Sequence, residues 1–241
     1  MSLGAAFAAS ALSAEQGEWQ TVRPGIVERL NGDGSVSRAG TGKAGVEYRY
    51  EQLKARIAEL ESRKNSDGRM QELREAYASL GTLAAIRNGA FYDRSSRAGT
   101  ASAKAGATIA TLGPTPNYAE QVCGTWWAGF WAQYTTNATT ASLTSQTQFP
   151  TPSGFTPPPP PVPSTTPWTI TSNSAFLTTS GGTWSTDYQS SFNPGPTTIT
   201  TTNSASRLGY CDGYSRGELS ITCPGGANDY AFYERTYNGC P

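Results

Sequence analysis

Four cysteines are the residues of this sequence whose type and spacing most directly suggest a chemistry. Cys123, Cys211, Cys223 and Cys240 all lie in the second half of the chain. None forms a C-x-x-C pair, which argues against a zinc site, and an even number in a threonine-rich, lysine-free region is typical of disulfides. The turn residues between them favour a bond from Cys211 to Cys223, and subtraction leaves Cys123 with Cys240. Reduced, buried thiols remain the alternative.

Catalytic chemistry has little support in the sequence. The chain contains no histidine, which excludes Ser-His-Asp and Cys-His nucleophiles and histidine-ligated zinc. Asp212 and Glu218 are the two carboxylates that could act as the facing pair of a glycosidase, but scattered acids on a polar surface need no catalytic explanation. No phosphate-binding loop, dinucleotide fingerprint or nucleophile elbow is present. We therefore expect no enzymatic activity, no cofactor and no metal.

Aromatic and hydroxyl side chains dominate the second half of the chain. Residues 111–241 hold 19 of the 26 aromatic residues, together with 26 threonines and 14 serines. This composition is typical of sugar-binding surfaces, because an aromatic ring covers the apolar face of a pyranose while polar groups hydrogen-bond to its hydroxyls. The candidate glycan-binding residues are Trp168, Trp184, Tyr188, Tyr210 and Tyr214. The alternative is that these rings fill a small β core.

Charge divides the chain into two regions. The 241 residues carry no net charge, so the sequence predicts no attraction to nucleic acid. Residues 1–110, however, hold 15 of the 18 basic and 12 of the 18 acidic side chains. We expect an α+β protein with an N-terminal helical hairpin or coiled-coil region, linkers rich in small residues and proline, and a C-terminal antiparallel β-rich region. No segment is apolar for long enough to predict a transmembrane helix.

A heptad-like pattern predicts two helices in a hairpin over residues 46–93. Apolar residues recur at intervals of three and four, and the pattern changes phase across the turn signal NSDG at 65–68. The change of phase disfavours one continuous coiled coil and favours an antiparallel hairpin. The apolar stripes, expected to pack on other subunits, include Leu53, Ile57, Leu60, Leu73 and Tyr77.

Segments poor in large side chains separate the remaining regions. Residues 1–45 are expected to be an N-terminal docking segment, and the first of them lack the basic start of a signal peptide, so we expect them to be retained. Residues 94–116 are expected to be a linker. Residues 136–167 form a Thr/Pro-rich neck, whose prolines at 157–161 impose polyproline II. Residues 168–241 are expected to form a β-rich C-terminal domain.

The stretch between linker and neck concentrates large aromatic side chains. Asn117 followed by Glu120 is typical of a helix N-cap, which predicts an aromatic helix over 117–135. A strand is the alternative, and it would place alternate residues on opposite faces. On a helix, one face would carry Cys123 and the expected assembly anchors Trp127, Phe130, Trp131 and Tyr134. We expect Trp127 and Trp131 to be largely buried in the assembly.

The order of these regions resembles the appendage proteins of tailed bacteriophages. The likeness lies in the plan of a helical docking part, a small-residue and proline neck, and a Thr/Gly/aromatic-rich β tip. It implies a virion structural protein, either a short fibre or spike or a capsid decoration protein. The partners it implies are other virion proteins, copies of the same chain in a trimer, and a host-surface glycan. A secreted or cell-surface adhesin or carbohydrate-binding module is the alternative.

Overall fold

The computed structural model describes most of the chain. The described residues are 17–62, 67–94, 117–136, 140–149, 162–163, 166–179, 184–192, 198–206 and 210–238. The first sixteen residues of the expected docking segment, nearly all of the expected linker, and the prolines at 157–161 lie outside these ranges.

The described residues contain eleven strands and two helices. The first three strands are β1 (Gln20–Arg23), β2 (Ile26–Leu30) and β3 (Val36–Thr41), and the helices α1 (Gly42–Ser62) and α2 (Asp67–Arg87) follow. The strands β4 (Tyr118–Val122), β5 (Trp126–Thr136) and β6 (Thr140–Gln148) come next. The last five strands are β7 (Trp168–Thr179), β8 (Trp184–Phe192), β9 (Thr198–Ser206), β10 (Tyr210–Thr222) and β11 (Asn228–Asn238).

The strands form two antiparallel sheets. The larger has seven strands in the order β1-β2-β3-β11-β10-β7-β8, and the smaller has four in the order β4-β5-β6-β9. The C-terminal strand β11 pairs with β3, with Thr236 opposite Val36 and Ala231 opposite Thr41. The two ends of the described chain therefore share one sheet.

A core between the two sheets holds them face to face. Tyr118, Phe130 and Tyr233 stack there with ring centroids 6.1–6.4 Å apart. Gly217 lets the sheets approach closely, because a Cβ at this position would meet the Thr147 hydroxyl at 2.2 Å. Asn173 also crosses the core, donating to the Ser145 carbonyl and accepting from the Thr147 hydroxyl. Because these buried polar groups are hydrogen-bonded to each other, burying them costs little free energy.

The helices cover the opposite face of the seven-stranded sheet. Val46, Leu53, Ile57 and Leu60 are buried against Tyr230, Phe232 and residues of α2. Gly45 brings the first turn of α1 onto β3, since a Cβ there would lie 3.0 Å from the Gly40 backbone. The molecule thus has three layers, and within the described residues no helix is long and apolar enough to cross a membrane.

The expected fold class is wrong. Two helices do lie close to the expected hairpin, but they form no separate N-terminal helical region. They are inserted between β3 and β4 and pack on a sheet that contains both N-terminal and C-terminal strands. The fold is mainly β because most of residues 20–41 form strands, which the turn-rich composition of that segment concealed, and because the aromatic segment also forms strands.

The expected aromatic helix over 117–135 is also wrong. Residues 118–122 and 126–136 form β4 and β5, joined by a tight reversal in which Cys123 and Gly124 have φ angles of 49° and 70°. Phe130 and Ala132 are buried, whereas the intervening Trp131 is only half-buried. Asn117 bonds the Ala132 backbone N–H across the strand pair and therefore caps no helix.

A disulfide joins the two sheets, and it is not one of the expected bonds. Cys123, in the reversal between β4 and β5, is bonded to Cys223 at the end of β10. The expected pairs of Cys211 with Cys223 and of Cys123 with Cys240 are therefore wrong, because each would need a sulfur that is already used. The bond closes a separation of 100 residues, which fits a tertiary staple between layers.

Replacing both Cys123 and Cys223 with serine should lower the free energy of unfolding by about 3–5 kcal/mol, because the unfolded chain regains the entropy of an open loop. Urea unfolding of the variant and the oxidised wild type measures the difference. Non-reducing peptide mapping should recover the Cys123–Cys223 peptide pair from the wild type. Recovery of a Cys123–Cys240 pair would contradict the fold.

Candidate functional site

A row of alternating charges crosses the helix-covered face of the seven-stranded sheet. The strand register places Glu28, Arg38, Glu234 and Arg216 side by side on β2, β3, β11 and β10. Arg38 pairs with Glu28 on one side and lies 3.2 Å from Glu234 on the other. Opposite charges directly across neighbouring strands attract, so the row stabilises this strand order.

Arg49 of α1 inserts into this row from the helix layer. Its Nε lies 2.9 Å from a carboxylate oxygen of Glu218, and its Nη1 lies 3.5 Å from Glu234. All three side chains are at least 95 % buried. One guanidinium thus bridges two carboxylates on adjacent strands, which is the use for which its forked geometry suits arginine better than lysine. We call Arg38, Arg49, Arg216, Glu28, Glu218 and Glu234 the buried ion cluster, after its central residues; Arg38 and Glu28 at its edge are half-buried.

Tyrosine hydroxyls complete the hydrogen bonding of the two central carboxylates. Tyr230 donates to Glu218 at 2.9 Å, and Tyr214 donates to Glu234 at 2.7 Å. Tyr48 of α1 also donates to Glu234, at 3.1 Å. The cluster holds three arginines and three glutamates, so its charges balance. Buried charges are tolerated when they are paired and hydrogen-bonded in this way.

The environment keeps Glu218 ionised. Burial alone would raise the pKa of this carboxyl, but the charges of Arg49 and Arg216 and the hydrogen bond from Tyr230 outweigh burial and lower the pKa. Burial, together with the charge of Glu234, raises the pKa of Tyr48 to about 12. At neutral pH Glu218 therefore carries no proton to donate, and Tyr48 keeps the proton it shares with Glu234.

This geometry suits a structural clamp and not a pair of catalytic acids. Asp212 and Glu218 are six positions apart on β10, which corresponds to about 20 Å. The facing carboxyls of glycosidases are about 5–10 Å apart. Glu218 and Glu234 do lie close together, but α1 covers them and Arg49 occupies the space between them. What the cluster does is fix the helix layer on the sheet.

Removing the central cation should destabilise the protein strongly. Arg49→Met leaves Glu218 and Glu234 buried without their shared partner, and we expect the free energy of unfolding to fall by about 3–5 kcal/mol. Urea unfolding at pH 7 measures the loss. Arg56→Met is the matched control, since Arg56 makes half-exposed pairs with Glu59 and Glu72 and should cost about 1 kcal/mol or less. Equal losses in the two variants would contradict the role of Arg49.

Acid should weaken the clamp. Because the folded-state pKa of Glu218 is lowered, its contribution is complete above its unfolded-state pKa of about 4.3 and disappears as the pH falls further. The free energy of unfolding of the wild type should therefore decrease more steeply below about pH 4.3 than that of Glu218→Gln. Urea unfolding from pH 7 to pH 2 tests this difference, and parallel pH profiles would show that Glu218 does not contribute.

A second polar group lies beside the disulfide. Arg94, which follows α2, contacts Asp229 at 2.7 Å and Glu120 at 2.6 Å. The other oxygen of Asp229 accepts the backbone N–H of Cys123. The sulfurs of Cys123 and Cys223 lie close enough to this carboxylate to suggest a metal site. The sulfurs are bonded to each other, and the carboxylate already accepts hydrogen bonds from four N–H groups, two of them on Arg94. The group therefore stabilises the junction between the two sheets.

Of the five glycan candidates, the structure describes the side chains of Trp168 and Tyr214, and these two do not come together. Trp168 is 5 % exposed and packs edge-on against Phe149 in the core between the sheets. Tyr214 is half-buried at the border of the ion cluster, with its hydroxyl on Glu234. Trp184, Tyr188 and Tyr210 lie on β8 and β10, and their side chains fall outside the described part of the structure. For Trp168, the alternative of a ring that fills the core is the one observed.

The expected assembly anchors divide between core and surface. Leu53, Ile57, Leu60, Leu73 and Phe130 are buried within this single chain, and Tyr134 is half-buried against Tyr237. Tyr77 is 50 % exposed on α2. Trp127 and Trp131, expected to be buried in the assembly, are half-buried in the single chain.

Comparisons with known proteins add no family to these observations. No family model matches the chain, and no curated protein matches its sequence.

Proposed function

We propose that the protein is a structural component of a viral particle, either a short fibre or spike or a shell decoration protein, that acts as a homo-oligomer. In this role the chain must keep one fixed shape and offer surfaces for docking. The observation that carries the proposal is the helix layer, which is clamped on the sheet by the buried ion cluster and yet presents large apolar side chains outward on α2.

Ion pairs fix the helices on the sheet and to each other. Arg49, in the first half of α1, fixes this helix on the sheet, and the two helices are joined to each other by Arg56 with Glu72 at 2.8 Å and by Arg87 with Glu47 at 2.8 Å. A docking surface that is rigid before it binds loses less conformational entropy on association. These links therefore favour a preformed surface over a segment that folds on its partner.

The outward side of α2 supplies the surface. Met70 and Tyr77 are 42 % and 50 % exposed and lie two turns apart on one side of the helix. Methionine and tyrosine are both enriched in protein interfaces. The glycine and alanines that follow, Gly81, Ala78 and Ala85, are exposed and would let another helix approach closely. A second copy of the chain is the partner we propose for this side, with a trimer expected.

Size-exclusion chromatography with light scattering tests the oligomer. We expect a mass near three times the chain mass of 25.5 kDa, and we expect the double variant Met70→Ser, Tyr77→Ser to shift it towards one chain. Leu30→Ser is the matched control, because Leu30 is an exposed apolar residue on β2, away from α2. A wild type that is monomeric at micromolar concentration would contradict the homo-oligomer.

Density-gradient fractionation of the source material tests the viral role separately. A virion component should sediment with particles in a fixed ratio to the other particle proteins, and it should stay with them after a salt wash. Sedimentation only as a free oligomer would contradict this role without affecting the oligomer test.

The disulfide favours one alternative, a secreted or cell-surface adhesin or carbohydrate-binding module. Structural disulfides persist in oxidising compartments and are rare in the cytosol, whereas a particle assembled in the cytoplasm would form the Cys123–Cys223 bond only after release. The redox state of these cysteines in freshly lysed cells distinguishes the two roles. Oxidised cysteines in the periplasm or medium, with no particle association, would favour the adhesin.

A further inference from the structure

The outward face of the four-stranded sheet has an unusual composition. Side chains alternate between the two faces of a strand, so Trp126 and Phe130 of β5 point into the core and are buried. Trp127, Trp131 and Gln133 lie on the opposite face. The two outward tryptophans are half-buried, and Gln133 is exposed. Large aromatic surface thus lies on the side of the sheet that faces away from the core.

Amide and hydroxyl residues flank both tryptophans across the strands. Gln121 on β4 is opposite Trp127, and Gln146 on β6 is opposite Trp131. The same register continues the face with Thr144 opposite Gln133 and with exposed Thr200 opposite Gln146. We call the outward positions of β4, β5, β6 and β9 the outer face. Its tryptophan, glutamine and hydroxyl residues with described side chains are Gln121, Trp127, Trp131, Gln133, Thr135, Ser142, Thr144, Gln146, Gln148 and Thr200.

No Asp, Glu, Lys or Arg stands at an outward position of these four strands as the structure describes them. Glu120 is the one charged residue of the four strands, and it lies on the inner side, bonded to Arg94 and Tyr118. Protein surfaces normally carry charged residues of both signs. Four strands without a charged residue at any outward position are therefore unexpected, and they point to a ligand that is itself uncharged.

We propose that the outer face binds a neutral oligosaccharide, with Trp127 and Trp131 as the two stacking platforms. They are four positions apart on an extended strand, which corresponds to about 13 Å. Each ring can then cover a different sugar of one linear chain. The flanking amides and hydroxyls can both donate and accept hydrogen bonds, as sugar hydroxyls require.

Charge and composition favour this ligand over the other candidates. The outer face has no cation for the carboxylate or sulfate of an acidic glycan, so a charged ligand would lose its hydration without gaining a partner. A protein interface would more typically be enriched in methionine and arginine and depleted in serine. Here hydroxyl and amide groups dominate around two tryptophans, which matches the two surfaces of a sugar ring.

This inference goes beyond the proposed function and takes from it only the biological setting. It places glycan recognition on a surface of the small sheet that is different from the outward side of α2. A monomeric wild type would overturn the proposed oligomer and leave glycan binding intact. Loss of glycan binding would leave the oligomer intact, so the two failures can be told apart.

Calorimetry with purified protein tests the proposal. The probes are neutral gluco-, manno-, xylo-, galacto- and N-acetylglucosamine oligosaccharides, with alginate and a sulfated glycan as anionic comparisons. We expect at least one neutral probe to bind and the anionic probes not to bind. Trp127→Ala and Trp131→Ala should each weaken binding about tenfold, equivalent to about 1.4 kcal/mol.

Tyr50→Ala is the matched control, because Tyr50 is a half-buried ring on α1, on the other side of the seven-stranded sheet. It should bind the neutral probe as the wild type does. Thermal unfolding of each variant shows whether it is folded, and Trp127→Phe and Trp131→Phe, which keep an aromatic ring, should retain part of the affinity. Intermediate binding by the phenylalanine variants distinguishes stacking from a general loss of structure.

Several results would overturn the proposal. One is the absence of binding by the wild type to every neutral probe at about 10 mM. Another is equal binding by the tryptophan variants and the wild type. A third is a change of oligomeric state in the tryptophan variants without any glycan binding, which would make the outer face an interface between copies of the chain.

Discussion

The bond between Arg49 and the carboxylates of Glu218 and Glu234 is the constraint on which the rest of the structure depends. Neither carboxylate can be buried alone, because an uncompensated charge in the interior costs several kcal/mol. Arg49 comes from α1, whereas the carboxylates come from adjacent strands near the C-terminus. The helix layer and the sheet must therefore form together, and the position of α1 along the sheet is determined by this contact.

The same constraint explains the strand order. For Glu234 to meet both Arg38 and Arg49, β11 must lie next to β3 and beneath α1. The order β2-β3-β11-β10 then gives alternating charges across the sheet. Hydrophobic burial alone would tolerate other arrangements, since apolar contacts are non-directional. Directional ion pairs add specificity here, a role that buried polar groups have in some other proteins.

The helices could be predicted from the sequence, whereas much of the β structure could not. The spacing of Leu53, Ile57 and Leu60 is helical and has no good strand alternative. The segment around Trp127 and Trp131 was ambiguous, because large aromatic residues on both sides of a strand also satisfy a helical spacing. Alternation would have been clear if the outward side had carried charges. The outward side of β5 carries no charged residue, and for that reason the sequence pattern did not distinguish this strand from a helix.

The disulfide and the ion cluster were missed for a related reason. The turn residues between Cys211 and Cys223 favour a local pair, but the observed bond joins two sheets across 100 residues. Similarly, nothing in the sequence distinguishes Arg49 from the other charged residues of its helix, and its partners follow it by more than 160 positions. The spacing of residue types along the sequence predicts local helices and strands, but it does not predict contacts between residues that are far apart in the sequence.

The placement of the tryptophans changes where recognition is expected on this fold. The large sheet has its helix-covered face closed by ion pairs and its other face closed by the small sheet, at least where α1 and the inter-sheet core lie. The outer face of the small sheet lies away from both places and carries amides and hydroxyls beside half-buried rings. A ligand that needs both an apolar platform and many hydrogen bonds is therefore better matched there than at the more C-terminal aromatic residues, of which Trp168 is already part of the core.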